Sequence, residues 1–142
     1  PKNHLSKREE RKADMLIDRF ALREVAKSQG RFLSGGERRK LEIARAMVTD
    51  PSLILLDEPF SGVDPIAVED LQREIRRLVA AGVSILITDH NVERTLEVCD
   101  KAYILDHGKI IGEGPPSEII QNEAVIKNYL GNTFADRSFS GI

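Results

Sequence analysis

Leu53-Ile54-Leu55-Leu56-Asp57-Glu58-Pro59 is the stretch on which the fold turns. A short run that is apolar at every position suits a strand of a parallel sheet, buried on both faces. Pro59 forbids a helical continuation. Two acids therefore stand at the strand's C-terminal edge, where open α/β sheets bind their ligands. Downstream, Asp64-Pro65 pairs a helix cap with a first-turn proline, so a helix opens there. Val68, Leu71, Ile75 and Leu78 give it an inner face, and Gly82 ends it. Val83 to Thr88 reads as a second buried strand in the same sheet, and Asn91 to Val98 as a helix.

Upstream, Ser6 and Glu9 form a capping-box pattern ahead of a helix with Ala13, Leu16, Ile17 and Phe20 on one face. A short turn from Leu22 to Ala26 ends at Gly30. A long helix runs from Ser34 to Val48, with Leu41, Ala44, Met47 and Val48 inward, and Asp50-Pro51 stops it. Towards the C-terminus, Ala102 to Leu105 and Ile110 to Gly112 read as strands joined by a tight turn. Short helices from Ser117 and Glu123 follow, with Gly131 as terminator and 132–142 as a flexible tail. Strands alternating with helices imply an α/β fold with a parallel sheet.

The chain has 142 residues, 31% charged and 41% hydrophobic, and a formal net charge of -2. That composition describes a globular protein with no basic excess for nucleic acid. The single cysteine, Cys99, has no partner for an intrachain disulfide, which fits a reducing cytoplasm. No apolar run approaches the roughly 20 residues that span a bilayer. The opening Pro1-Lys2-Asn3-His4 is neither a signal peptide nor an initiator methionine, so the chain is expected to be cut from something longer.

Three segments carry candidate chemistry. In Leu33-Ser34-Gly35-Gly36-Glu37, two glycines at a helix N-terminus let backbone N–H groups approach an anion, and Ser34 adds a hydroxyl. The same residues also match a plain capping box. The glycines cost about 1 kcal/mol each against alanine, and a phosphate guest would compensate. Asp57 can hold Mg²⁺ through its water shell, and Glu58 can orient or deprotonate a water. A solvated turn after a strand is the alternative. His90, at the end of the second strand, can donate to a terminal phosphate or be an ordinary surface histidine. Ser61-Gly62-Val63-Asp64 is a loop with an N-cap at Asp64. His4 and His107 carry no functional reading.

These segments, in this order, resemble the second half of an ABC-transporter nucleotide-binding domain. Leu33 to Glu37 looks like the signature motif, Leu53 to Asp57 like Walker B, and Glu58 like the catalytic glutamate. Ser61, Gly62 and Asp64 look like the D-loop, and His90 like the switch histidine. The resemblance implies the C-terminal part of a P-loop NTPase (RecA-like) core, with part of the helical subdomain. On that pattern 1–50 is helical subdomain and 51–131 ATPase core. It further implies ATP and Mg²⁺ as cofactors and a homodimer that sandwiches two ATP molecules. Ser34, Gly35, Gly36 and Glu37 of one copy would face ATP held by the other. Integral-membrane permease subunits are the implied partners, and the inner face of the inner membrane the implied location.

Ile87-Thr88-Asp89-His90-Asn91-Val92, Cys99 to Ile104 and Val125 to Gly131 look like the ATPases of lipopolysaccharide-export transporters of Gram-negative bacteria. ATPases of branched-chain amino-acid importers resemble the C-terminal end nearly as well. One departure is large. No G-x-x-x-x-G-K-[ST] occurs, and the only Gly-Lys pair, Gly108-Lys109, is followed by Ile110, with Tyr103 in the first glycine's place. The Walker A loop, Q-loop and adenine-stacking aromatic are expected upstream of Pro1. The chain alone is then expected to be inactive, with strand edges exposed where the P-loop strand would pair. The competing readings are a soluble ABC ATPase of the translation or DNA-repair kind, and a non-catalytic phosphate-binding fragment.

Overall fold

The computed structural model describes residues 6–130. Its residues fall into two compact units, one ending at Thr88 and the other beginning at Asp89.

The first unit opens with α1 (Lys7–Arg19), whose N-terminus is closed by the expected capping box between Ser6 and Glu9. Phe20, just past its end, is buried, while Ala13, Leu16 and Ile17 are half-buried. Gly30 does not end a turn, as the sequence reading had it, but opens a 3₁₀ turn, Gly30–Phe32. Helix α2 (Gly35–Met47) buries Ile43, Ala44 and Met47. Val48 is not inward: it caps the helix and is 50% exposed, one step past the last residue that faces the core. Asp50 then turns the chain with φ of 49°.

Strand β1 (Leu53–Asp57) and strand β2 (Ser84–Thr88) pair in parallel, Leu53 opposite Ser84 and Asp57 opposite Thr88. Between them runs α3 (Pro65–Ala80), capped by Asp64 and with Pro65 in its first turn. Its Val68, Leu71, Ile75 and Leu78 are all buried, as its spacing requires. The strands depart from expectation. Ile54 is buried, but on the opposite face Leu53, Leu55 and Leu86 are 53%, 68% and 57% exposed. The apolar pattern reports a two-sided strand, and among the described residues only one side is covered.

The second unit begins with α4 (Val92–Leu96), capped by Asn91. Strands β3 (Ala102–Asp106) and β4 (Lys109–Gly114) form an antiparallel hairpin around His107-Gly108, both at positive φ. Such two-residue turns match the natural twist of the strands they join. Helices α5 (Pro116–Ile119) and α6 (Glu123–Val125) follow, then a π-turn, Ile126–Leu130. Leu96, Ala102, Ile104, Ile119 and Val125 make the core, with Cys99 packed against it. Partial burial pushes the pKa of the Cys99 thiol up. Gly131 and the tail at 132–142 lie outside the described residues. No helix among the described residues is long and apolar enough to cross a membrane.

The burial difference between helix and sheet face predicts unequal costs. Leu71→Ala should lower the unfolding free energy by about 2–5 kcal/mol. Leu86→Ala, on the open face, should cost under about 1 kcal/mol. Urea melts of both variants measure this, and equal losses would contradict the packing described.

Candidate functional site

The N-terminus of α2 shows why two glycines stand there. Ser34 caps the helix: its hydroxyl accepts from the Glu37 N–H at 3.2 Å, and Glu37 Oε2 accepts from the Ser34 N–H at 2.8 Å. The capping box anticipated from the sequence is therefore formed. Beyond it, the glycines allow contact. A Cβ on Gly35 would lie 2.8 Å from the carbonyl oxygen of Gly62, and one on Gly36 would lie 2.6 Å from the Cβ of Ala67. No real Cβ sits so close to backbone or to a fixed methyl. Close packing of α2 on the 61–64 loop and on α3 thus offsets the helix propensity lost at Gly35 and Gly36. The compensation expected of a bound phosphate thus has a structural source in packing.

The acidic corner follows β1. Asp57 is its last residue, and the Thr88 hydroxyl donates to Asp57 Oδ1 at 2.5 Å. Glu58 adopts φ of 46°, a left-handed conformation uncommon outside glycine and worth of order 1–3 kcal/mol in strain. Three hydrogen bonds hold it there. The Glu58 N–H donates to the Thr88 carbonyl at 2.7 Å, and its own carbonyl accepts from the Ser61 N–H at 3.2 Å and from Arg39 Nη2 at 3.3 Å. Both acids are exposed. A groove of about 150 Å³ runs beside this corner, between α2 and β1, lined among others by Arg39, Ile43, Leu55, Asp57 and Pro59.

The loop after the corner reaches α3 through Gly62, at φ of 68°, and Asp64, whose carboxylate accepts from the Ala67 N–H at 3.0 Å. Ser34, Gly35, Gly36, Asp57, Glu58, Ser61, Gly62 and Asp64 all belong to the first unit. Contacts join the helix bearing Ser34 to Gly62 and to Glu58. His90 lies in the second unit, with a side chain 71% exposed and its Nδ1 3.8 Å from the buried Asp89 carboxylate.

Two residues with a place at the corner were missed from the sequence. Arg39 lies five residues past Ser34 on α2 and drew no reading from the sequence. Thr88 looked like a strand former. The signal for Thr88 was its position at the end of β2, which in-register pairing sets against Asp57.

The residues fit a water-mediated Mg²⁺. Among the described residues no three His, Cys, Asp or Glu side chains converge into a metal cage. A cation that keeps most of its waters and takes one or two carboxylates needs only a corner such as Asp57-Glu58.

The sheet, the acidic strand end and the glycine-led helix together define a P-loop NTPase fold of the ATP-binding-cassette kind. The ABC transporter family matches residues 2–61, and the C-terminal family described as branched-chain amino acid ATP-binding cassette transporter matches residues 109–135. The chain is 51% identical over 125 residues to the lipopolysaccharide export system ATP-binding protein LptB of Escherichia coli K12, covering 88% of this chain and 52% of that protein. Its similarity to LptB of Haemophilus influenzae is 51% over 123 residues, 87% and 51% of the two chains. Among solved structures, the ADP conformation of MJ1267, an ATP-binding cassette of an ABC transporter, superposes with a TM-score of 0.81 at 29% identity, over 90% of this chain and 52% of that one. The chain belongs to the ABC-transporter ATP-binding family. It spans about half the length of the curated relatives it matches.

Two tests follow from the glycine packing and the cap. Gly36→Ala should destabilise by about 1–3 kcal/mol through overpacking, and Ala67→Gly should recover part of that loss in a double-mutant cycle. Additive effects would remove the packing account. For the cap, the Ser34 backbone N–H and then its hydroxyl hold the Glu37 carboxyl below its ordinary value. A depressed carboxyl contributes stability above its unfolded pKa and loses it as the pH falls through the lowered folded value. Urea midpoints followed from about pH 6 down to pH 2 should therefore fall less steeply in Glu37→Gln than in the parent.

Proposed function

We propose that the protein containing this chain is the ATP-hydrolysing subunit of an ABC transporter that powers lipopolysaccharide export in a Gram-negative bacterium. The observation that carries the reading is the ordered run Ser34 to Glu37, Asp57-Glu58, Ser61 to Asp64 and His90, in a chain half identical to LptB proteins. In this reading residues 1–50 belong to the helical subdomain and 51–131 to the ATPase core. Glu58 orients or deprotonates the attacking water, and its locked backbone suits a group that must not wander. Asp57 holds Mg²⁺ through water, and the cation neutralises phosphate charge. His90 contacts the γ-phosphate. Ser34, Gly35, Gly36 and Glu37 present their helix N-terminus to ATP held by a second copy, and Asp64 links the two sites. The partners are that second copy and integral-membrane permease subunits, at the inner face of the inner membrane.

The uncovered Leu53, Leu55 and Leu86 support further chain packed over that face, which a P-loop half would supply, since parallel sheets are covered on both faces. A second reading, the ATPase of a branched-chain amino-acid importer, is favoured by the family match at residues 109–135.

With the P-loop half present, Glu58→Gln should lower ATP turnover by on the order of 10²–10⁴ while ATP binding survives. The 142-residue chain alone should show no micromolar binding of Mg-ATP by calorimetry. Turnover untouched by Glu58→Gln, or tight nucleotide binding by the isolated chain, would overturn this assignment. Co-purification with a lipopolysaccharide-export permease, rather than with an amino-acid importer, decides between the two transport readings.

A further inference from the structure

We infer that Thr88 is a positioning residue for the acidic corner, holding both Asp57 and Glu58 in the arrangement their chemistry requires. The inference rests on the ATPase reading of those two acids. It starts from the register: Asp57 and Thr88 are the last residues of adjacent parallel strands and stand directly opposite each other. Directly paired residues project to the same face of a sheet, and side chains as short as Asp and Thr can then meet. They do, with the Thr88 hydroxyl donating to Asp57 Oδ1 at 2.5 Å. The Thr88 carbonyl accepts the Glu58 N–H at 2.7 Å. One residue thus grips the first acid by its side chain and the second by its backbone.

The chemistry explains why threonine suits the position. Asp57 is exposed, so nothing in the packing fixes its carboxylate rotation. A hydrogen bond to an ionised acceptor is about twice as strong as a neutral one and narrows that freedom. A β-branched side chain on a strand has few χ1 choices, so the donor itself is fixed. Thr88 engages Oδ1 and leaves Oδ2 to other partners. The Glu58 N–H bond helps hold the strained φ that aims the second carboxylate. If Thr88 were only a good strand former, valine would replace it without loss.

The test uses the ATPase complete with its P-loop half. Thr88→Val should lower kcat roughly tenfold and raise the Mg²⁺ concentration for half-maximal turnover several-fold, with KM for ATP little changed. Thr88→Ser, which keeps the donor, should stay within about threefold of the parent. Independently of turnover, Mn²⁺ titrated by electron paramagnetic resonance into the ATP-bound Glu58→Gln protein should bind several-fold more weakly when Thr88→Val is added. Thr88→Ala serves as the donor-free variant should the valine protein fail to fold. The inference is overturned if the donor-free variant keeps the parent's metal dependence and Mn²⁺ affinity, or if Thr88→Ser loses as much as Thr88→Val. A parent rate indifferent to Glu58→Gln would count against the ATPase reading instead, and the Mn²⁺ comparison would still judge Thr88.

Discussion

The parallel register of β1 and β2 is the constraint on which the acidic corner depends. Slipping it by one residue would carry every side chain of one strand to the other face. Asp57 would lose Thr88, and the Glu58 N–H would lose the carbonyl that holds its backbone at positive φ. The helix that connects the two strands, α3, buries four apolar residues, two of them with no exposed surface, and packs against α2 and β2.

Close packing acts again at the start of α2. Gly35 and Gly36 let that helix touch the 61–64 loop and α3 at distances no side chain permits, while Arg39, a turn further on, reaches the carbonyl of Glu58. The helix bearing Ser34 is therefore mechanically joined to the acidic corner and to the loop that follows it. One guanidinium ties α2 to Glu58, and direct packing ties it to Gly62.

Much of this was legible in the sequence, and for identifiable reasons. The Ser6, Ser34 and Asp64 caps, the inner face of α3 and the hairpin around His107-Gly108 are local, so short-range pattern fixes them. The order of the candidate segments was readable because each combines unusual residue types at set spacing. Two kinds of feature were not. Val48 was placed inward because helical periodicity continues on paper past the point where the helix stops. Thr88 and Arg39 were passed over because their contacts join residues 31 and 19 positions away, and only the folded register makes them neighbours. The glycine pair shows a subtler limit, since close backbone packing and phosphate binding demand the same residue.

The exposed face of the first sheet ties folding to chemistry. Leu53, Leu55 and Leu86 form an apolar row on a parallel pair, and covering such a row contributes roughly 25 cal/mol for each Å² removed from water. Under the proposed reading, the P-loop half supplies both the cover and the phosphate cradle. A P-loop strand added in parallel beside β1 or β2 would then deliver its loop to the same C-terminal edge where Asp57 and Glu58 stand, because the C-terminal ends of parallel strands lie along one edge. Completing the core and assembling the nucleotide site would be one event. That explains how the acids can be so exposed in the described residues and yet be held so firmly, by Thr88, Ser61 and Arg39, in a conformation that has no use of its own in a solvated turn.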